Sequence, residues 1–225
     1  MSGGYYDKSL SGERLRRCYE IAPPRVQQYL AAEIEFARKF IRPADAVLEL
    51  GCGYGRVLRS LVGQTVRLVG IDTAKSSLAL ARTLLPDQAS CELVEMDAVN
   101  LTFENNSFDR VLCLQNGISA FHVDPQKLIS EALRVTRSGG TLVFSSYSAT
   151  FWTYRLQWFE LQAREGLVGE IDYDATGDGV IVCKDGFTAT TVGTDEFRRL
   201  ALAFDIDSHV QVIDDSSVFC VLSKR

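Results

Sequence analysis

The chain has 225 residues, 46% of them hydrophobic, enough to bury one sizeable core and consistent with a single domain bearing small appendages. Its net charge of −5 disfavours nucleic acid and anionic membrane as partners, because both attract basic surfaces. No apolar run approaches the ~20 residues that span a bilayer. The first residues lack a basic-then-apolar leader pattern, and the six cysteines form no C-x-x-C pair. A cytoplasmic protein with free thiols and no metal site is expected.

Residues 1–20 are polar, with several tyrosines and a basic cluster at Arg14, Arg16 and Arg17. Pro23-Pro24 opens a helix, since proline is tolerated in a first turn. Val26, Tyr29, Leu30, Ile34, Ala37, Phe40 and Ile41 recur along one face of it until Pro43. A strand over 46–50 and a helix over 55–62 follow. Next come a strand over 67–72, a helix over 76–85 stopped by Pro86, and strands over 91–97 and 108–115. Asp124 caps a helix begun by Pro125, and Gly139-Gly140 is expected to end it before a strand over 141–147. Strands alternating with helices at this spacing imply an α/β doubly wound unit, a parallel sheet covered on both faces.

Beyond Tyr147 the pattern breaks. Residues 150–165 carry both tryptophans, Trp152 and Trp158. A hairpin is expected from 168–173 and 180–184, then a helix capped by Thr194. The last two strands, 210–213 and 218–222, are joined by four residues, too few for a parallel crossover, so they should pair antiparallel. Asp172-x-Asp174-x-Thr176-Gly177 copies half of an EF-hand loop. Its twelfth position is Cys183 in place of a bidentate glutamate, so calcium is not expected.

The chemistry centres on Glu49-Leu50-Gly51-Cys52-Gly53-Tyr54-Gly55-Arg56, an apolar strand running through alternate glycines into a helix. Glycine in such a turn tolerates positive φ and lets a ligand approach the backbone. Dinucleotide binders use G-x-G-x-x-G, whereas Arg56 occupies their third glycine position here. Asp72, ending the second strand, suits a ribose in either kind of ligand.

Five segments in order resemble the class I S-adenosylmethionine-dependent methyltransferases. Glu49 to Gly55 looks like their first motif, and Val69-Gly70-Ile71-Asp72 is similar to the second, whose acid holds the ribose. Met96-Asp97-Ala98 resembles the third, where an aspartate and the next backbone N–H meet the adenine. Phe108-Asp109 through Asn116-Gly117 looks like the fourth, beside the methionine part of the cofactor. Leu133 to Gly140 is similar to the family's helix-to-strand turn, with Thr136, Arg137 and Ser138 replacing its usual proline.

The resemblance implies a Rossmann-like seven-stranded sheet, mostly parallel with an antiparallel last strand, an N-terminal helical cap and an inserted hairpin. It implies one methyltransferase domain over 1–225: cap 1–42, cofactor core 43–147, lid 148–192 and closing helix and hairpin 193–225. S-adenosyl-L-methionine is the implied cofactor, with Glu49, Gly51, Cys52, Gly53, Gly55, Asp72, Thr73, Asp97, Ala98, Gln115 and Asn116 around it. At Asn116-Gly117, a turn dipeptide, backbone contact is favoured over side-chain chemistry.

The expected reaction is in-line methyl transfer to a small-molecule acceptor, by a monomer or homodimer. The alternatives are a tRNA or protein acceptor, a NAD-dependent oxidoreductase, or a cofactor-binding protein without catalysis. A base is needed only where the acceptor carries a proton. His122, after the fourth strand, is the candidate, against a plain loop histidine as the structural alternative. Tyr5, Tyr6, Tyr19, Trp152, Tyr154 and Trp158 are candidate lid residues, with Arg14, Arg17 or Arg155 available to an anionic group; packing on the sheet or a dimer face explains the aromatics as well.

Overall fold

The computed structural model describes residues 4–86 and 91–225. The chain begins with helices α1 (Tyr5–Lys8), α2 (Gly12–Glu20) and α3 (Pro24–Arg38). The alternating core follows as β1 (Ala46–Leu50), α4 (Arg56–Leu61), β2 (Arg67–Asp72), α5 (Lys75–Leu84), β3 (Cys91–Glu95) and β4 (Phe108–Cys113). It continues through the short α6 (Gly117–Ala120), α7 (Pro125–Val135) and β5 (Thr136–Tyr147). Then come α8 (Trp152–Arg164), the two-residue strands β6 (Ile181–Val182) and β7 (Thr188–Ala189), α9 (Thr194–Leu202), β8 (Asp207–Ile213) and β9 (Ser217–Ser223).

The main sheet has seven strands in the order β3-β2-β1-β4-β5-β9-β8. β1 to β5 pair in parallel, and β9 runs antiparallel to both of its neighbours, as expected for the last strand. β1 sends its chain outward to β2 and β3, while β4 and β5 lie on its other side. The carboxyl ends of β1 and β4 therefore flank the point where the winding reverses, the usual ligand crevice of such sheets.

Alternation along each strand feeds two cores. Leu48, Leu50, Val69 and Phe144 pack with Leu128 of α7 and Phe197 of α9. On the opposite face Val47, Leu68 and Val143 pack with Phe36 of α3 and Leu58 of α4. Glu49 alternates with Leu48 and Leu50, so it falls on the α3 and α4 face.

The helix after Pro125 ends earlier than its glycine pair suggests. Asp124 caps it through Gln126 N–H at 2.9 Å as expected, but α7 stops at Val135 and Thr136 already pairs with Phe108. The register then shifts, because Arg110 pairs with Thr141. Gly139 takes φ 75° in this irregularity, and a Cβ on Gly140 would lie 2.6 Å from the Thr136 methyl and 2.9 Å from the Asp109 carbonyl. The glycines serve a strand bulge, where close backbone approach excludes a side chain.

In the insertion the 168–173 limb meets 180–184 as expected, through an antiparallel Ile171–Cys183 bridge with Asp172 N–H donating to the Val182 carbonyl at 2.9 Å and Lys184 N–H to the Glu170 carbonyl at 2.8 Å. A further limb adds to it, Ile181-Val182 pairing antiparallel with Thr188-Ala189. A separate apolar cluster, including Leu10, Cys18, Phe159, Ile181 and Phe187, ties this insertion to the N-terminal helices. Polar contacts reinforce it: Tyr5 donates to the Asp185 carboxylate at 2.5 Å, Arg14 to the Gly166 carbonyl at 2.7 Å, and Trp158 Nε1–H to the Cys18 carbonyl at 2.8 Å. Cap and insertion thus form one roof over the carboxyl ends of the strands. Among the described residues no helix is long and apolar enough to cross a membrane.

Candidate functional site

Under the roof lies a cavity of about 570 Å³. Its floor is the turn between β1 and α4, where Gly51, Gly53 and Gly55 take φ values of 71°, 53° and 82°. Only glycine enters that region without strain. The turn is fixed from the neighbouring strand: Cys52 N–H donates to the Ile71 carbonyl at 2.8 Å, and Gly53 N–H to Asp72 Oδ2 at 2.8 Å. Asp72 Oδ1 accepts from Ala74 N–H at 2.8 Å, so one carboxylate binds two successive turns together. Burial pushes its pKa up, and the two backbone donors oppose that. Asp97 folds its own turn, accepting from Val99 N–H at 3.0 Å and Asn100 Nδ2 at 3.2 Å.

The cavity brings together Glu49, Gly51, Cys52, Gly53, Asp72, Thr73, Asp97, Ala98, Gln115, Asn116 and His122. Gly55 alone of the expected residues stands outside the lining. It caps α4 in the left-handed region, and a Cβ there would touch Ala81 on α5 at 3.4 Å, so its place is in the turn and not on the cavity wall. His122 is exposed at the mouth with φ 51°. Asn116 has both ends of its amide engaged, Nδ2 donating to the Thr190 carbonyl at 2.9 Å and Oδ1 accepting from Ser146 at 2.7 Å. Its backbone is engaged too, the N–H donating to the Ser145 carbonyl at 3.1 Å and the carbonyl accepting from Ala120 N–H at 2.9 Å.

Glu49 is the electrostatic centre. It is 4% exposed, and its Oε2 has no hydrogen-bond partner. Burial pushes its carboxyl up to about 8, against the opposing pull of Arg56. Arg56 donates to Gln115 Oε1 at 2.8 Å and to the Leu30 carbonyl at 3.3 Å, and lies over the Tyr19 ring.

Three participants were not foreseen. Glu33 of α3, fully buried, accepts from Ser145 at 2.5 Å and from Gln115 N–H at 3.1 Å, and stands 3.8 Å from Arg56. Its signal was a charge within the apolar stripe of α3, between Leu30 and Ala37. Phe121 rests on the glycine turn, where its ring would collide with any Cβ on Gly51. Gln162 of α8 lines the cavity at 3% exposure.

Of the candidate lid residues, Tyr5, Tyr6, Tyr19 and Trp158 line the cavity, whereas Trp152 and Tyr154 do not. The arginines are engaged elsewhere. Arg14 binds loop carbonyls, Arg17 pairs with Glu165 at 3.0 Å, and Arg155, 1% exposed, donates to the Gly179 and Ala189 carbonyls.

Residues 48–144 match the family model described as a methyltransferase domain. The chain is 36% identical over 112 residues to a demethylmenaquinone methyltransferase of Beutenbergia cavernae, an alignment covering 49% of this chain and 44% of that protein. The chain thus spans less than half the length of that relative. Among solved structures it resembles the PH0226 protein of Pyrococcus horikoshii OT3, with a TM-score of 0.67, 18% identity and 98% of each chain covered. A SAM-dependent methyltransferase from Methanosarcina mazei gives 0.62 at 18% identity, over 84% of this chain and 97% of that one. At these identities the structures speak for the fold. Residues 48–144 thus match a methyltransferase domain, on a strand order and glycine turn shared with the fold of S-adenosylmethionine-dependent methyltransferase structures.

Proposed function

We propose that the chain transfers the methyl group of S-adenosylmethionine to a small-molecule acceptor by in-line displacement. The observation that carries this reading is the buried Glu49 carboxyl group, its Oε2 without a partner, beside the Gly51–Gly53 turn. A buried acid without a partner is costly, and a cationic ligand group offsets that cost. The donor set suits the rest of such a cofactor. Asp72 holds two backbone N–H groups and keeps further lone pairs for ribose hydroxyls. Asp97 and the Ala98 backbone suit an adenine edge, and Gln115, whose Nε2 is buried without a partner, has a donor for a carboxylate.

When bound, the sulfonium supplies an electrophilic methyl group. The protein's part is orientation and exclusion of water, worth on the order of 7–11 kcal/mol in favourable intramolecular reactions. The glycine turn, Asp72 and Asp97 fix one partner, and the roof of α1, α2 and α8 encloses the other. Where the acceptor atom carries a proton, His122 at the mouth takes it. Enclosure favours a small acceptor over tRNA or protein, and the Beutenbergia relative, named for demethylmenaquinone, supports the same class.

Incubation with methyl-labelled cofactor and a cell extract separates the readings. Label in small metabolites is expected. Label confined to tRNA or protein overturns the acceptor class, and bound cofactor without any transfer points to a non-catalytic role.

A further inference from the structure

The cavity has two chemically distinct halves. Around the strand ends it is charged, with Glu49, Arg56, Asp72, Glu95 and Asp97 in its lining. Asp7 of α1 belongs to the same half, because its charge acts on Asp72. The roof half is built from Tyr6, Leu15, Cys18, Tyr19, Trp158 and Phe159, and none of these is charged. The arginines that could have served an anion there are committed: Arg14 and Arg155 to carbonyls, Arg17 to Glu165, and Arg56 to Gln115.

One polar side chain enters that half from α8. The buried face of the helix is Arg155, Trp158, Phe159 and Gln162, spaced as one stripe. Gln162 ends the stripe in the cavity lining, at 3% exposure. A polar amide in an enclosed wall of aromatic rings is placed to pair with a matching group on a ligand seated there. Burial pushes the Tyr19 phenol well up, which keeps this wall neutral across the physiological range.

We infer that the acceptor is an uncharged, ring-bearing molecule with a hydroxyl or keto group, seated against Tyr19, Trp158 and Phe159 and read by the Gln162 amide. The inference rests on the reading that the charged half holds the cofactor. An aromatic wall binds ring faces, while an anion seated there would meet no uncommitted arginine among the described residues and would lose its hydration. Gln162 is then the residue that selects among ring compounds of similar shape.

Equilibrium dialysis with 1-naphthol, naphthalene and 1-naphthoate tests this, on the free protein and on protein saturated with S-adenosylhomocysteine. The product cofactor is titrated first. Its failure to bind removes the methyl-transfer reading, while the ranking of ring probes on the free protein still tests the compartment. The expected order is 1-naphthol tighter than naphthalene by about five- to tenfold, the scale of one hydrogen bond, with 1-naphthoate weakest. Gln162→Leu should weaken 1-naphthol by the same factor and leave naphthalene unchanged. Failure of 1-naphthol to bind, 1-naphthoate binding as tightly as 1-naphthol, or Gln162→Leu weakening 1-naphthol and naphthalene equally overturns the inference. The wild-type ranking decides the matter even if the variant does not fold.

Discussion

The Gly53 N–H donates to Asp72 Oδ2 at 2.8 Å, so the glycine turn after β1 is held by the acid that ends β2. Because the other oxygen of Asp72 takes Ala74 N–H, the side chain holds two turns as well as lining the cavity. Asp72→Asn preserves the shape but offers one carbonyl oxygen to two backbone donors. Stability should fall by about 1–3 kcal/mol and cofactor affinity by roughly ten- to a hundredfold, the scale of lost bonds to a charged acceptor. Denaturant titration and calorimetry measure the two separately. Unchanged affinity in a folded variant removes Asp72 from the ribose site.

Glu49 makes the free protein pH-sensitive. Its carboxyl is pushed from 4.5 to about 8 by burial, so the folded state keeps a proton that the unfolded chain releases. The associated stability is present in full below 4.5 and is lost as pH rises through about 8. Glu33, raised by burial too, adds to the decline. Melting temperature should therefore fall between about pH 4.5 and about pH 8, less steeply in Glu49→Gln. A cationic ligand reverses the trend, because it favours the ionised carboxylate. Cofactor affinity should rise over the same range, approaching about tenfold per pH unit at the steepest, and Glu49→Gln should flatten it. Equal slopes in both proteins contradict this role.

Gly51 is confined twice, by its φ of 71° and by the Phe121 ring against its α-carbon. Gly51→Ala should cost more than about 1 kcal/mol in thermal or chemical unfolding. In a Phe121→Ala background the steric part disappears and the backbone part remains, so the cost of the same substitution should shrink without vanishing. An identical cost in both backgrounds shows that the ring contributes nothing.

Arg155 holds the insertion in place. It is 1% exposed, bonds the carbonyls of Gly179 and Ala189, and lies 4.6 Å above the centroid of the Tyr147 ring. Arg155→Met leaves those carbonyls unpaired in an apolar setting. A loss of about 2–4 kcal/mol is expected, with increased protease sensitivity over 177–190. Full stability in the variant means that packing alone secures the insertion.

The strands were legible because a buried parallel strand is a short apolar run: β1 and β2 have the bounds that their sequences suggest. The glycine stop after α7 misled because glycine marks a bulge as readily as a helix end, and only the pairing of Thr136 with Phe108 separates the two. The residues that line the strand ends were visible as motifs. Gln162 was not, and Arg155 was assigned to an anionic group instead of the insertion's carbonyls, since a buried stripe of α8 with a polar residue at each end has no clear apolar periodicity. Glu33 could have been found as the acid interrupting an apolar face. Phe121 was hidden, because nothing local shows that its ring reaches Gly51.

Thermal unfolding with S-adenosylmethionine, S-adenosylhomocysteine and NAD tests the cofactor assignment most directly. At about 100 times the dissociation constant a ligand selective for the folded state stabilises by ~2.7 kcal/mol. Both sulfur cofactors are expected to raise the melting temperature of the wild type and to do so less in Asp72→Asn, with NAD inert. Stabilisation by NAD and not by S-adenosylmethionine contradicts the assignment.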